Sequence, residues 1–543
     1  MTTTTEHPAT TPDHTPAPAP GTVAGTPARA GADTTTAAAV LPATAPAGTR
    51  PAPVRHLKVA VIGAGFSGLG TAIRLLQAGE DDFLVFERAD DLGGTWRDNT
   101  YPGCACDVQA HLYSFSFARN PEWKSTFATQ AEVHDYLRSC AHRYGVTPHL
   151  RYGHELLAAR WDEHHHHWAI DTSQGHYTAQ ILVTGTGYLS EPALPAIPGL
   201  DTFTGTLFHS SRWRHDHDLS GRDVAVIGTG ASAIQFVPRI QPQVGRLDLY
   251  QRTPPWVAAK PDKPNTARHT WMLRHLPGYQ RLRRSFNKNG REIVAFFMSR
   301  PTRTTGMKNM AAGHLKKSVA DPALRARLTP DYTVGCKRLL FSNTWYPAIQ
   351  QPNVDIIADT ITSVGPDHVT TADGTRRHVD TIILATGFTA TDRPVAHRIH
   401  GTGGHTLAQT WNRTGMNAHR GTTVHGFPNL FMILGPNTTL GHSSQTVMIE
   451  AQITYILAAL KTLTRGFSSV DVLPHAQSAY NHTLAKRLEH TVWNNGGCQS
   501  WYTDRHGNNP SIWPTYTWRY QRQTRAFDLT NYHTTTHTDL TTT

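Results

Sequence analysis

Residues 56–90 read "HLKVAVIGAGFSGLGTAIRLLQAGEDDFLVFERAD". A short apolar run, a glycine-rich turn, an apolar stripe at helical spacing and a second apolar run ending in acid predict strand, turn, helix and strand. Gly63, Gly65 and Gly68 form a GxGxxG turn, where glycine permits the tight bend, the approach of backbone to a pyrophosphate and close packing of helix on strand. The helix N-terminus then faces the anion. Glu87 follows Gly68 by 19 residues, where a carboxylate accepts hydrogen bonds from the hydroxyls of an unphosphorylated ribose.

The same pattern returns at 222–256, "RDVAVIGTGASAIQFVPRIQPQVGRLDLYQRTPPW", with its turn 165 residues after the first. Here Gly228, Thr229, Gly230, Ala231, Ser232, Ala233 and Ile234 carry GxGxxA, and the residue 19 positions after Ala233 is Arg252 in place of an acid. A cation there suits a 2′-phosphate, and Thr253 adds a hydroxyl. The expected cofactors are FAD on the first turn and NADPH on the second, with hydride passing from nicotinamide to flavin.

Working outward, the expected fold is α/β: two Rossmann-like dinucleotide-binding domains, for FAD and NADPH, with a helical insertion. Residues 56–195 and 391–532 form a discontinuous FAD-binding domain on this reading. Residues 196–390 form the NADPH-binding domain, with the insertion at about 265–330, where the sequence turns helical and loses glycine turns. "VDTIILATGF" at 379–388 and "NLFMILGPN" at 429–437 return the chain to sheet. Residues 1–55, rich in Thr, Ala and Pro, bury too little apolar surface to offset ordering entropy and are expected to be a disordered tail. Residues 533–543 are expected to be a flexible tail.

The chain has 543 residues, 38% hydrophobic and 17% charged, and no apolar run near the roughly 18 residues of a membrane span. The opening "MTTTTEHPAT" has no basic-then-apolar signal, so a cytoplasmic location without membrane contact is expected. The net charge is +11, but Lys and Arg are dispersed and no nucleic-acid module is present; the basic surface is expected to attract anionic cofactors and not nucleic acid. Five scattered cysteines do not suggest a disulfide framework. His164 to His167 lie between two predicted hairpin strands, where neighbours point alternately up and down, so they predict a solvated turn and no metal site.

Two dinucleotide turns leave three classes open: reduction of a disulfide, reduction of another electron carrier, or oxygenation. Cys104 and Cys106 are separated by one residue, which makes a strained ring, and neither CxxC nor CxxxxC occurs. Between the turns, "FTGTLFHSSRW" at 203–213 has no run that reads as core helix or strand. Phe203, Gly205, His209 and Trp213 match FxGxxxHxxxW, the fingerprint of the type I Baeyer–Villiger monooxygenases among the class B flavoprotein monooxygenases, which this sequence resembles. The departure is Arg214, where the family usually has Pro or Asp.

The resemblance extends from about residue 56 to 530. "GGTWRDNTYPGCACD" at 93–107 is similar to the family's GGxWxxxxYPGxxxD; it implies that Thr95, Trp96, Arg97 and Asp98 line the FAD, as do Ser67 and Tyr113. "DTIILATGF" resembles the segment joining the two domains, and "GPNTTLGHSS" at 435–444 a loop near the flavin. "GCKR" carries the family's cation pair onto Lys337, toward the 2′-phosphate, and Arg338. The implied reaction inserts one oxygen atom of O2 beside a ketone carbonyl through a C4a-peroxyflavin, giving an ester or lactone. Arg338 is then the permanent cation beside the developing oxyanion and Asp107 its carboxylate partner, which also touches the nicotinamide cofactor. His209 is expected at a hinge between domains, and Trp501 and Tyr502 either as a lid over the pocket or as aromatic packing. Oxygenation of nitrogen or sulfur, and NADPH-dependent reduction or oxidase activity without oxygenated product, remain alternatives.

Overall fold

The computed structural model describes residues 54–504 and 506–536. Residues Arg55–Ile62 form the first strand, so ordered chain begins one residue before the expected tail boundary; residues 1–53 lie outside the described residues. The strand pairs in parallel with Phe83–Phe86 on one side and Gly175–Thr184 on the other. Both faces of this central layer are covered, so Val59, Val61, Ala60 and Ile62 are all buried and the strand reads as an unbroken apolar run.

Around it grows an eight-stranded sheet. Leu150–Arg151 extends it past Phe83–Phe86, and the antiparallel strands Leu156–Asp162 and His167–Thr172 extend it past Gly175–Thr184. Ile399–His400 and Leu430–Met432 return from far along the chain and pair in parallel with Leu156–Asp162 and Gly175–Thr184. A second, five-stranded sheet is wholly parallel, in the order Val354–Ile357, Arg246–Tyr250, Asp223–Ile227, Thr381–Leu384, Thr206–His209. Each glycine turn thus leaves the carboxyl end of a central strand, where open α/β sheets bind ligands.

Four helices, Ala267–His275, Tyr279–Met298, Thr305–Ser318 and Pro322–Arg327, fill the expected insertion. Val257–Ala258 and Leu340–Phe341 pair in parallel across its base, which brings the segment just before Leu340 back to the sheet ends. The helix Gln445–Leu463 is long and apolar enough to cross a membrane, but it lies mostly buried in the core.

Three expectations are corrected. Thr206–His209 is an edge strand of the second sheet, paired residue for residue with Thr381–Leu384, so the 203–213 stretch is not an irregular linker. It escapes the periodicity because it has four residues and a fully buried partner on one edge only. Residues 533–536, expected in a flexible tail, belong to the strand Tyr532–Thr536, which pairs antiparallel with Phe467–Val472; residues 537–543 lie outside the described residues. Cys336 and Cys498, 162 residues apart, form a disulfide.

Candidate functional site

A cavity of about 380 Å³ opens at the first glycine turn. Gly63, Gly65, Ser67, Glu87, Thr95, Trp96, Arg97, Asp98 and Tyr113 line it, so the structure gathers these expected residues in one place. Gly68 sits behind them: a Cβ there would lie 1.7 Å from the carbonyl oxygen of Gly63, so only glycine lets the helix pack onto the strand. Glu87 is buried and fixed, accepting from the backbone N–H of Ala64 at 2.8 Å and from Arg97 Nη1 at 2.9 Å. Arg97 also pairs with Asp98 at 2.7 Å, and Trp96 Nε1 donates to Tyr113 Oη at 3.1 Å.

Arg393, which the sequence reading missed, lines the same cavity. It is buried, donates to the carbonyl of Leu434 at 2.7 Å, and has no carboxylate partner among the described residues. Burial pushes its guanidinium down to about 10. A buried cation without a counter-charge fits a cavity built for an anionic group, and with the turn and Glu87 it fits FAD.

The second turn has the same construction. Gly228 has φ +108°, and a Cβ there would meet the carbonyl oxygen of Ala385 at 2.6 Å. Gly230 and Ala231 are exposed, with nothing against a Cβ at Gly230, while Ala233 and Ile234 pack into the core from the first turn of the helix Ala233–Ile240. Ser232 is its N-cap and Thr229 is buried beneath the turn. Arg252 is exposed and Thr253 half-buried at the end of the following strand. Lys337 comes from across the insertion to stand near Arg252, its ammonium 5.0 Å from the Tyr332 ring. Burial first, and the Arg252 charge second, push the Lys337 ammonium down. Asp331 partly offsets these, and two converging cations that make no ion pair with a carboxylate among the described residues suit a phosphate.

A charge centre joins the loop after the first unit to the segment that follows the insertion. Asp107 accepts from Arg338 Nε at 2.5 Å and Nη2 at 2.8 Å, a bidentate pair in which both side chains are about 30% exposed. Arg291, from the insertion, donates to the backbone carbonyl of Asp107 at 3.3 Å and to Gln109 Oε1 at 3.1 Å. Burial pushes the Asp107 carboxyl up, but the Arg338 guanidinium outweighs it and holds it below the usual carboxylate value. Burial likewise disfavours the Arg338 charge, and Asp107 more than offsets it.

Next to this pair His442 is buried with both ring nitrogens unpartnered, and burial, with the charges of Arg291 and Arg338 behind it, pushes its imidazole down to about 3. Ser443 Oγ and Trp493 Nε1 are also buried and unpartnered. His442 and Ser443 follow the GPN turn, whose motif could have flagged them, whereas Trp493 comes from the short helix Val492–Asn495; their lack of partners is legible only in three dimensions. Tyr502 is buried, pushed up to about 12 by its burial, with Arg338 opposing. Trp501 stacks on Tyr188, which lines the cavity, with ring centroids 5.7 Å apart.

The 203–213 residues hold the second sheet together. A Cβ on Gly205 would meet Asp380 O at 2.4 Å, and Phe203 packs beside it against Val364, Val369 and Ile382 of one core. Trp213 lies 5.2 Å from both Phe208 and Phe236. His209 packs edge-on to Phe388 at 5.7 Å, and burial pushes its imidazole down, so it is a neutral packing residue at neutral pH. "YPGCACD" reaches the second unit: Tyr101 donates to Gln235 Oε1 at 3.0 Å, and Gln235 Nε2 donates to the Ala105 carbonyl at 3.0 Å. The flavin-side loop is therefore docked on the second helix.

The histidine run forms a turn, but its side chains do converge in part. His165 and His167, with Asp162, offer ligand atoms within 4.8 Å of one another, because positions two apart share a face. Asp162 is already used by the turn, accepting from the backbone N–H of His164 and His165 at 2.9 and 3.0 Å. A larger cavity of about 880 Å³, bordered by Arg413, His425, Glu489 and Asn509, takes only Asn437 of the GPN turn from the motif residues.

Residues 60–295 match a family model described as pyridine nucleotide-disulphide oxidoreductase. A Baeyer–Villiger monooxygenase from Streptomyces coelicolor is 49% identical over 480 residues, covering 88% of this chain and 92% of the relative. The chain belongs to the Baeyer–Villiger monooxygenase family. A second Baeyer–Villiger monooxygenase, from Pseudomonas aeruginosa, is 48% identical over 90% of this chain and 93% of its own length. The crystal structure of cyclohexanone monooxygenase from Rhodococcus sp. Phi1 bound to NADP+ superposes with a TM-score of 0.80, at 26% identity, over 89% of this chain and all of that one.

Family membership makes the chain a flavoprotein monooxygenase using FAD and NADPH, and it accounts for the cysteines near the flavin cavity. Cys104 and Cys106 are free, buried thiols. Burial pushes Cys104 up to about 11 and Cys106 higher still, so neither supplies the thiolate that disulfide exchange needs.

Proposed function

We propose that this Baeyer–Villiger monooxygenase inserts one oxygen atom beside the carbonyl of a small-molecule ketone, giving an ester or lactone. On this reading residues 56–195 and 391–532 form the FAD-binding domain and 196–390 the NADPH-binding domain. The single observation that carries it is the bidentate Asp107–Arg338 pair, half-buried beside His442, whose ring nitrogens are unpartnered.

FAD, when bound and reduced by NADPH, would supply the activation of O2, of which one atom enters the product and the other leaves as water. The protein's part is positioning and electrostatics. Asp107 occupies Nε and Nη2 of Arg338, which fixes the guanidinium plane and leaves Nη1, 3.5 Å from the Leu440 carbonyl, to face substrate. When the ketone is attacked, negative charge grows on its carbonyl oxygen, and a cation that cannot lose its proton stabilises it in this partly desolvated site. Arg291 holds the Asp107 backbone, so the pair keeps its place as charge develops. His442, neutral at working pH, can donate one hydrogen bond and accept another there without adding charge. Arg252 and Lys337 hold the 2′-phosphate, and the aromatic pair Trp501 and Tyr502 excludes water.

The test is product analysis with isotopically labelled dioxygen, NADPH and a cyclic ketone, beside an amine and a sulfide. The expected result is a lactone with one labelled atom and one NADPH consumed per product. Sulfoxide or N-oxide with no lactone would assign the hydroperoxide chemistry instead. NADPH oxidation yielding only hydrogen peroxide would assign an oxidase.

A further inference from the structure

The helix Tyr279–Met298 is built inside out. Beyond the exposed Arg281 in its first turn, its charged side chains turn inward: Arg284 donates to the carbonyls of Leu112 at 3.0 Å and Ser114 at 2.8 Å, and Lys288 donates to Gln521. Arg291 reaches Asp107 and Gln109, and Glu292 accepts from the backbone N–H of Thr517 at 3.1 Å. The outward face carries Leu282, Phe286, Ile293, Phe296 and Phe297, which are 67%, 70%, 60%, 43% and 38% exposed. No charged residue lies among the exposed positions between Arg281 and Arg300.

At roughly 150–250 Å² per large side chain the stripe amounts to about 500 Å², the size of the largest patches on soluble proteins, which often serve a function. Two such faces together cover on the order of 1,000 Å², where specific association begins. The stripe is also self-complementary. Leu282 and Phe297 are equidistant from the Asn289–Gly290 bond, as are Phe286 and Ile293. In an antiparallel pair crossing there, Leu282 meets Phe297 of the second copy, Phe286 meets Ile293, and Arg300 meets Tyr279. Gly290 stands at the crossing with nothing near its absent Cβ, which lets two backbones approach.

We propose that this face is the interface with a second copy of the chain, its two-fold axis passing at Asn289–Gly290. Other occupants fit less well. Residues 1–53 contain no Phe, Trp or Tyr and few large aliphatic residues to cover the stripe. A helix lying in a bilayer surface carries cations along its polar face, where they reach lipid headgroups, whereas Arg284, Lys288 and Arg291 are engaged inside the protein. Pairing here has a consequence for catalysis: the helix that braces the Asp107 backbone through Arg291 is held from behind.

The test uses the full-length, flavin-loaded protein in analytical ultracentrifugation. At about 10 μM, well above the Kd expected of a specific interface, it should sediment at twice the 59.9 kDa chain mass. Phe286→Glu with Ile293→Glu should sediment as a monomer and keep its flavin. Gly290→Cys, treated with a mild oxidant that takes two electrons and two protons per bond formed, should give a covalent dimer. Ser285→Cys should not, because its copies lie about 13 Å apart along the axis, beyond disulfide reach. A wild-type monomer at that concentration overturns the proposal, as does a dimer that survives the double substitution or a cross-link at Ser285→Cys. Flotation of monomer with phosphatidylcholine–phosphatidylglycerol vesicles would assign the face to a membrane.

Discussion

Arg338 is the residue on which the chemistry turns, and its replacement separates oxygenation from cofactor binding. Arg338→Ala should leave FAD binding and reduction by NADPH largely intact while ester formation falls at least about 100-fold, the usual cost of losing one oxyanion donor. Arg338→Lys should rescue little, since an ammonium cannot reproduce the two-point contact with Asp107. Unchanged ester yield would remove Arg338 from the mechanism. Arg252→Ala should raise KM for NADPH about tenfold or more and barely affect NADH, because only the 2′-phosphate distinguishes the two; equal losses in steady-state assays would sink the phosphate assignment. His442 gives a pH prediction. Its folded value of about 3 lies below the unfolded histidine value of 6.5, so the unfolded chain takes up the proton first and stability falls as pH drops from about 7 toward 3. Urea unfolding midpoints at pH 7.5 and 5.5 should differ less in His442→Gln than in wild type. The 19-residue offsets to Glu87 and Arg252 were readable in sequence because local βαβ geometry sets them. His442 and Arg393 were not, since what matters is what fails to surround them.

At the scale of elements, long runs were legible and short ones were not. The strands Arg55–Ile62 and Thr381–Leu384 and the insertion helices follow from apolar period, but Thr206–His209 and Tyr532–Thr536 exist only because a distant partner supplies their hydrogen bonds. The Cys336–Cys498 link is of the same kind, joining residues that precede Lys337 and Arg338 to the loop with Trp501 and Tyr502. A cross-link closing so long a loop stabilises by about 2–4 kcal/mol. Reductant should therefore lower the Tm of wild type by a few degrees, toward that of Cys498→Ser, and leave the variant unchanged; an equal shift in both, measured by calorimetry, would mean that the bond does not contribute. Gly68→Ala should destabilise more than either, because the clash is with backbone that cannot move aside.

For the whole molecule, the net charge of +11 and the exposed Arg252 favour encounter with a cofactor carrying several phosphate charges. Raising ionic strength from about 10 mM to about 500 mM should lower kcat/KM for NADPH severalfold while kcat stays nearly constant, since salt screens approach more than chemistry. A salt-independent kcat/KM would show that long-range steering is absent. By itself the sequence determined that the chain holds two βαβ units with turns suited to two different dinucleotides, because turn, helix and ribose contact are encoded within some 30 consecutive residues. The tertiary structure decided what stands between them. Asp107 and Arg338 are 231 positions apart, and Arg291 and His442 arrive from an insertion and a returning loop. Their pairing depends on the packing of two sheets, and burial, which shifts their protonation and leaves His442 unpartnered, is a property of the assembled core that no local pattern carries.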